Sequence, residues 1–266
     1  MLKFTIITPS YNQAGFIEKT LESVRSQGYP EVEHLVLDGG STDGTQEILR
    51  AHEGEIRWVS EPDRGQSDAI NKGFRQATGD VVAWLNSDDV YLPGALWAVA
   101  NHWKLNPHLD MVVGDGFQTD LNGNRLRVVR PGPFDVRRLI ARGVLSLLQP
   151  ACFWRRSVIE RVGALDLDLH YAMDYDFFIR IGLQCQVGYL PEPLACLRVH
   201  SDCKTISGWE KMVVESHGIR AKHLKPGLET LQARAWDLRL ALFRARLFRK
   251  LSQAGDTPRP LAASPK

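Results

Sequence analysis

Two adjacent carboxylates, Asp88 and Asp89, follow almost directly on the apolar run 81–85. Successive side chains of an extended chain point to opposite faces. One of the two can therefore hold a metal ion while its neighbour accepts a hydrogen bond from a hydroxyl group. The competing reading is an acidic loop that caps a helix starting near Pro93, since Asp favours helix caps. Three other apolar runs end in polar clusters: Thr8-Pro9-Ser10-Tyr11-Asn12, Asp38-Gly39-Gly40 and Ser60-Glu61-Pro62-Asp63-Arg64. All four ends are polar and three are acidic. Mg²⁺ and Mn²⁺ prefer a few carboxylates together with phosphate oxygens, so an acidic rim of this kind suits a cation bridging to phosphates.

The elements that must carry these clusters alternate. Residues 4–8, 33–37, 56–60, 80–85 and 111–113 read as strands. Residues 16–27, 45–52, 67–76 and 93–105 have helical spacing, the last with Pro93 near its start, where a missing N–H does no harm. Strands separated by helices of this length imply βαβ units and a parallel sheet, and ligands of such sheets bind beyond the carboxyl ends of the strands. The polar clusters stand at those ends. Residues 116–150 differ: Asn122-Gly123 is a hairpin turn signal and 125–130 alternates basic and apolar residues. From about Gly208 the pattern is almost wholly helical, and 258–266 is a Pro/Ala/Ser tail expected to be disordered.

The 266 residues suffice for one large α/β domain or two small ones, and 44% hydrophobic with 24% charged residues is a globular composition. The net charge of +2 gives no reason to expect nucleic acid as a partner, but it hides an asymmetry. Residues 1–208 hold 21 basic and 26 acidic side chains, whereas 209–251 hold 10 basic and 4 acidic. No signal-peptide core or membrane-spanning run is evident. The four cysteines lack metal or redox spacing, so a cytoplasmic protein with reduced thiols is expected.

Thr8-Pro9-Ser10-Tyr11-Asn12, then Asp38-Gly39-Gly40-Ser41-Thr42-Asp43-Gly44-Thr45, then Asp68-Ala69-Ile70-Asn71-Lys72-Gly73, then Leu85-Asn86-Ser87-Asp88-Asp89 together resemble the family 2 glycosyltransferases over roughly residues 3–205. The resemblance implies the Rossmann-like, A-type glycosyltransferase fold: a mostly parallel central sheet flanked by helices, here with a helical C-terminal extension. It implies an inverting enzyme that uses a nucleotide-diphosphate sugar, UDP-sugars foremost, with a divalent metal (Mn²⁺ or Mg²⁺). By the same resemblance Pro9, Tyr11 and Asp38 would cradle the nucleobase, with Arg64 and Asp68 lining that pocket. Asp88 would contact ribose or sugar hydroxyls and Asp89 the metal. The family often carries Asp where this chain has Asn86, which loses a charge and argues against Asn86 as a metal ligand.

Transfer with inversion needs a carboxylate to take the acceptor's proton. The family's Glu-Asp pair corresponds to Met173-Asp174, so Asp174 would be the base and Asp176 a neighbouring helix residue. A position at a helix start would lower the pKa of Asp174 and keep it ionised. His200 falls where a metal- or diphosphate-approaching histidine is expected, and Lys204 nearby could offset leaving-group charge. Gln149-Pro150 and Trp154-Arg155-Arg156 lie where an acceptor subsite is expected. The rival enzyme, a sugar-phosphate nucleotidyltransferase, would want a Gly-rich basic loop after the first strand, which Pro9-Ser10-Tyr11-Asn12-Gln13 is not. A catalytically degenerate nucleotide- or glycan-binding module is opposed by the joint presence of Asp88, Asp89 and Asp174.

These readings divide the chain into a catalytic domain over 1–208, with a nucleotide-sugar half (1–115) and an acceptor half (116–208), a basic amphipathic extension over 209–251, and the tail 252–266. In 233–251, Trp236, Leu240, Phe243, Leu247 and Leu251 share a stripe flanked by Arg239, Arg244, Arg246 and Lys250. Such a stripe can lie on an anionic membrane surface, or pack on the catalytic domain or on a second copy in a homo-oligomer. A peripheral position on the inner face of the plasma membrane would suit a glycan or lipid-linked acceptor in polysaccharide or glycolipid assembly.

Overall fold

The computed structural model describes residues 1–143, 145–200, 203, 204 and 208–224. The expected βαβ alternation is present. Strands β1 (Phe4–Ser10), β2 (Val32–Asp38), β3 (Arg57–Ser60) and β4 (Val81–Trp84) lie in the order β3-β2-β1-β4, all parallel. Helices α1 (Ile17–Arg25), α2 (Thr45–Ala51) and α3 (Gln66–Gln76) make the crossovers, and α4 (Ala95–Leu105) follows. The last begins two residues later than the sequence implies, because Gly94 takes a left-handed turn (φ +80°) before the first helical residue.

Beyond β4 the same sheet becomes mixed. Its remaining strands are β5 (Val90–Tyr91), β6 (Met111–Thr119), β7 (Arg125–Val129), β8 (Cys152–Arg155) and β9 (Val187–Arg198). Strand β8 runs antiparallel between β4 and β6, and β9 lies parallel to the other side of β6. The hairpin signal at Asn122-Gly123 joins β6 to β7, with Gly123 at φ +84°. Four further helices complete the described chain: α5 (Val136–Arg142), α6 (Ser157–Val162), α7 (Met173–Gln184) and α8 (Trp209–Ala221).

All seven residues of β1 are buried, as expected of a strand covered on both faces. On one face Ile7, Ile70, Phe74, Trp84, Trp154, Phe177 and Phe178 form a core with α3, α6 and α7. On the other, Phe4, Ile6, Ala83, Leu96, Trp103 and Phe153 pack with α1 and α4. Trp154 meets Phe74 and Phe177 edge-on, with ring centroids 6.1 and 5.4 Å apart, the arrangement aromatic quadrupoles favour. These two layers fix the carboxyl ends of β1, β2, β3 and β4 along one rim. Among the described residues no helix is long and apolar enough to cross a membrane.

Candidate active site

A cleft of about 720 Å³ opens along that rim. The ends of β1 and β4, the loops after β2 and β3, the last residues of β9 and the starts of α7 and α8 all contribute to it. Pro9, Tyr11, Asp88, Asp89, Asp174 and His200 line it together. The polar clusters of the first half and the carboxylate expected of the second thus share one cavity.

Asp88 and Asp89 sit in a turn held from several sides. The Thr20 hydroxyl donates to the carbonyls of Ser87 (2.7 Å) and Asp89 (2.8 Å). The buried Arg198 guanidinium donates to the Asp88 carbonyl, to the Phe16 carbonyl (3.0 Å) and to Thr20 Oγ1 (3.2 Å). Asp89 Oδ1 accepts from the Arg198 backbone N–H at 3.0 Å, and Oδ2 from Asn86 at 3.3 Å. Burial first, and the Asp88 charge second, push Asp89 well above the ordinary carboxylate range. A buried carboxylate with a second, partly exposed one beside it gains from a bound cation.

His200 is buried, stacked on the Phe16 ring at 4.5 Å, and its Nε2 lies 3.2 Å from Asp88 Oδ2. It therefore faces the carboxylate assigned by resemblance to hydroxyl contact. Asn86 is a hub: Oδ1 accepts from Gln66 (2.7 Å) and from the Trp84 indole, and Nδ2 donates to Asp89 and Gln149. Its carbonyl is thus occupied within the protein.

The nucleobase residues divide. Tyr11 is 63% exposed at the mouth, and a Cβ on Gly39 would stand 3.3 Å from its ring and 2.8 Å from Asp63 Oδ2. Tyr11, Gly39 and Asp63 thus form a narrow wall. Asp38 is buried and turned onto its own loop, accepting from the Gly40 and Ser41 amides at 3.2 and 2.9 Å and from the Ser60 hydroxyl at 2.6 Å. Its carboxylate shapes the turn and does not line the cleft. Asp68 accepts from the Arg64 amide at 3.2 Å and lies 3.8 Å from Lys72, while the Arg64 side chain is 74% exposed; neither residue lines the cavity. Ser10 was legible only as part of its cluster. Ser10 lines the cleft, and its hydroxyl is buried with no hydrogen-bond partner among the described residues.

Asp174 stands in the first turn of α7, where its Oδ1 accepts from the Tyr175 amide at 2.7 Å. Helix position does not lower its pKa as the sequence implied. Burial dominates and raises it to about 6, against the smaller pull of the Tyr175 and Asp174 amides and of Lys204. The reason is that the first turn lies inside the cleft wall, so desolvation of the charged form outweighs the helix end. Asp176 is engaged with Arg180 at 2.8 Å, which itself holds the carbonyl of Val162 at 2.6 Å.

Gln149 lines the cleft, its amide donating to the Trp84 carbonyl at 2.6 Å. Trp154, Arg155 and Arg156 do not. Because β8 runs antiparallel to β4, it starts near the rim and delivers Arg155 beside Val81 at the opposite edge, where Arg155 and Arg156 hold the carbonyls of Leu109 and Gly79. The expected acceptor role for these three residues is corrected accordingly. The basic stripe over 233–251 and the tail lie outside the described residues.

The family model for glycosyl transferase family 2 matches residues 5–163. The chain belongs to this family. An uncharacterized glycosyltransferase of Mycobacterium tuberculosis is 33% identical over 207 residues, covering 74% of either chain. Among solved structures, Staphylococcus aureus TarS superposes with a TM-score of 0.67 at 20% identity, over 87% of this chain and 41% of TarS. The mannosyltransferase PcManGT from Pyrobaculum calidifontis, in complex with GDP-Man and Mn²⁺, superposes with a TM-score of 0.64 at 22% identity, over 88% of this chain and 69% of its own. The fold is thus that of A-type glycosyltransferases, and the chain is a glycosyltransferase.

Proposed function

We propose that the chain moves a sugar from a nucleotide-diphosphate sugar to an acceptor hydroxyl with inversion, by single displacement. The observation that carries this reading is the convergence of Asp174 with Asp88 and Asp89 on one cleft at the rim of the sheet. Asp174 takes the proton of the acceptor hydroxyl as its oxygen forms the new bond to the anomeric carbon. The bond from that carbon to the diphosphate breaks on the opposite face. A carboxylate with a pKa near 6 is mostly ionised at neutral pH yet basic enough to accept that proton.

The donor's nucleobase is assigned to the wall of Pro9, Tyr11, Gly39 and Asp63, with Asp38 setting the turn behind it and Arg64 and Asp68 bounding its outer side. The unpartnered Ser10 hydroxyl supports a donor at this edge, since an unmet buried polar group costs about 1–3 kcal/mol that a ligand can recover. TarS has been crystallised with UDP-GlcNAc, which supports UDP-sugars as the first donors to try; GDP-Man is the second.

The donor set fits a divalent cation. Among the described residues no group of three or more His, Cys, Asp or Glu side chains forms a cage, and Mg²⁺ or Mn²⁺ completes its shell with phosphate oxygens and water. Asp89 is the assigned holder, with Asp88 and His200 beside it. When bound, the cation would offset the charge of the departing diphosphate. Release of UDP or GDP from UDP-GlcNAc, UDP-glucose and GDP-mannose, with Mn²⁺ or Mg²⁺ and with EDTA, tests the reading. Metal-dependent release from one donor is expected. Failure of every donor to bind or turn over with either metal would overturn it.

The acceptor is assigned to a glycan or lipid-linked hydroxyl presented at a membrane, with residues 233–251 lying on anionic lipid. Sedimentation of the full chain with vesicles should rise with phosphatidylglycerol content and fall with salt. Arg244, Arg246, Arg249 and Lys250 changed together to Gln should abolish it; sedimentation unchanged by that substitution would remove the stripe from the function.

A further inference from the structure

Helix α7 lacks a side-chain cap of its own: Ala172 occupies its N-cap position. The first amides of a helix have no partner within it and need one from elsewhere. Here the Ala172 amide, together with the two amides just before it, finds its partner on α8, more than forty residues away in sequence. Glu215 Oε2 accepts from the Tyr171 and Ala172 amides, both at 2.8 Å, and Oε1 from the His170 amide at 3.0 Å. Three consecutive amides converge on one carboxylate.

The same segment is held from two further directions. Lys204 Nζ donates to the His170 carbonyl at 3.1 Å. From α3, Ser67 donates to the Leu169 carbonyl at 3.1 Å, and Asn71 makes a reciprocal pair with the Leu165 backbone, each bond 2.9 Å. The start of α8 is pressed onto this segment: a Cβ at Gly208 would stand 1.9 Å from the Tyr171 ring. Met212, one turn before Glu215, lines the cleft. Residues 170–172 lead directly into Met173 and Asp174, with no intervening residue to absorb a displacement.

We propose that Glu215 is a positioning residue for the base: its carboxylate clamps the amides of 170–172 and so fixes the first turn of α7 and the Asp174 carboxylate in the cleft. This rests on the assignment of Asp174 as base. The clamp makes α8 part of the catalytic framework. A reaction that needs near-attack geometry is sensitive to displacements on the order of 1 Å, which loss of three hydrogen bonds one residue before the helix would allow. The negative charge of Glu215 also bears on Asp174, in the direction that raises its pKa.

The test uses the full chain with Glu215→Ala and Glu215→Gln, beside Asp174→Asn. Glutamine keeps one acceptor oxygen for the Tyr171 and Ala172 amides and loses the charge. Hydrogen exchange read on the amides of 170–172 should speed by at least tenfold in Glu215→Ala and by much less in Glu215→Gln. Nucleotide release should fall on the order of tenfold or more in kcat for Glu215→Ala, with the KM for the nucleotide sugar within about twofold of wild type, and Glu215→Gln should restore most of it. The acidic limb of the pH–rate profile should move to lower pH in both variants. Unchanged exchange at 170–172 in Glu215→Ala overturns the clamp. Faster exchange with an unchanged kcat overturns the positioning role. Should the Ala variant not fold, wild-type exchange at all three amides in Glu215→Gln, whose amide nitrogen cannot accept from the His170 N–H, overturns the clamp. Wild-type turnover in Asp174→Asn would instead overturn the assignment of the base, whatever Glu215 does.

Discussion

Replacing Asp174 by Asn should make the protein more stable and less active at the same time, with the stability gain depending on pH. The ordinary carboxylate value is 3.8 and burial raises that of Asp174 to about 6. Between roughly pH 4 and pH 6 the unfolded chain has released this proton while the folded chain still holds it. The folded state then binds more protons, so stability falls as pH rises across that window. Above about pH 6 the penalty is complete. At about 1.4 kcal/mol per pH unit it amounts to at most about 3 kcal/mol.

Two features make this a ceiling: Asp174 is partly open to the cleft, and Lys204 loses an attractive carboxylate in the same variant. The Asn oxygen can still accept from the Tyr175 amide, so the helix start is retained. For a chain of this size 1 kcal/mol moves Tm by about 2–4 °C. Thermal unfolding of both proteins at intervals from pH 4 to pH 8 is the assay. The curves should meet near pH 4 and separate to several degrees in favour of Asp174→Asn by pH 7.5. Turnover at pH 7.5 should fall by roughly 10²–10⁴-fold. A difference in Tm that does not change with pH, or a wild type that is the more stable at pH 8, would refute the reasoning.

Asn86→Asp removes the amide that donates to Asp89 and Gln149 and adds a third carboxylate, so chemical denaturation should show a loss of about 1–3 kcal/mol, larger at pH 8 than at pH 5. Thr20→Val leaves the Ser87 and Asp89 carbonyls without their buried donor; a loss of about 1–3 kcal/mol is expected from urea unfolding, with weaker donor binding by calorimetry. Trp154→Ala empties the centre of the aromatic core between Phe74, Phe177 and Phe178, and should cost about 3–5 kcal/mol in the same measurement.

The first half of the site was legible because its signals are local. Each of the strands β1 to β4 ends within a few residues of the polar cluster it delivers, and helices of ordinary length force the strands parallel, so strand ends and chemistry coincide in sequence. The second half obeys no such rule. Strand β8 is four residues long and reverses direction, which sent Trp154, Arg155 and Arg156 to the far edge. Strand β9 carries Pro191 and Pro193 and pairs with β6 through register shifts, so alternation is interrupted where it would have been read. Side-chain destinations were less legible than side-chain types. Asp38 and Asp68 are carboxylates at the right strand and helix ends, yet each is satisfied by amides of its own loop, and nothing in their spacing distinguishes that from a carboxylate left open to a ligand. Arg198 and Glu215 were missed as site builders because their partners lie far away in sequence, at Phe16 and Thr20 for one and 170–172 for the other.

The unused or long-range side chains explain how two halves of unlike construction act as one site. A displacement reaction requires the donor's anomeric carbon and the base to be held in a fixed relation before either reacts. Asn86 ties the turn of Asp88 and Asp89 to Gln149, which hydrogen-bonds the end of β4. Arg198, at the end of β9, ties that turn to α1. On the other wall Ser67 and Asn71 anchor the segment leading to Asp174 onto α3, the helix that follows the nucleobase edge. Apart from the Asn86–Gln149 contact between side chains, each tie is a hydrogen bond to a backbone carbonyl, so it fixes the path of the chain. The electrostatic cost concentrates on Asp89 and Asp174, the two groups pushed above the carboxylate range, and these are the positions at which a cation and an acceptor proton would relieve it.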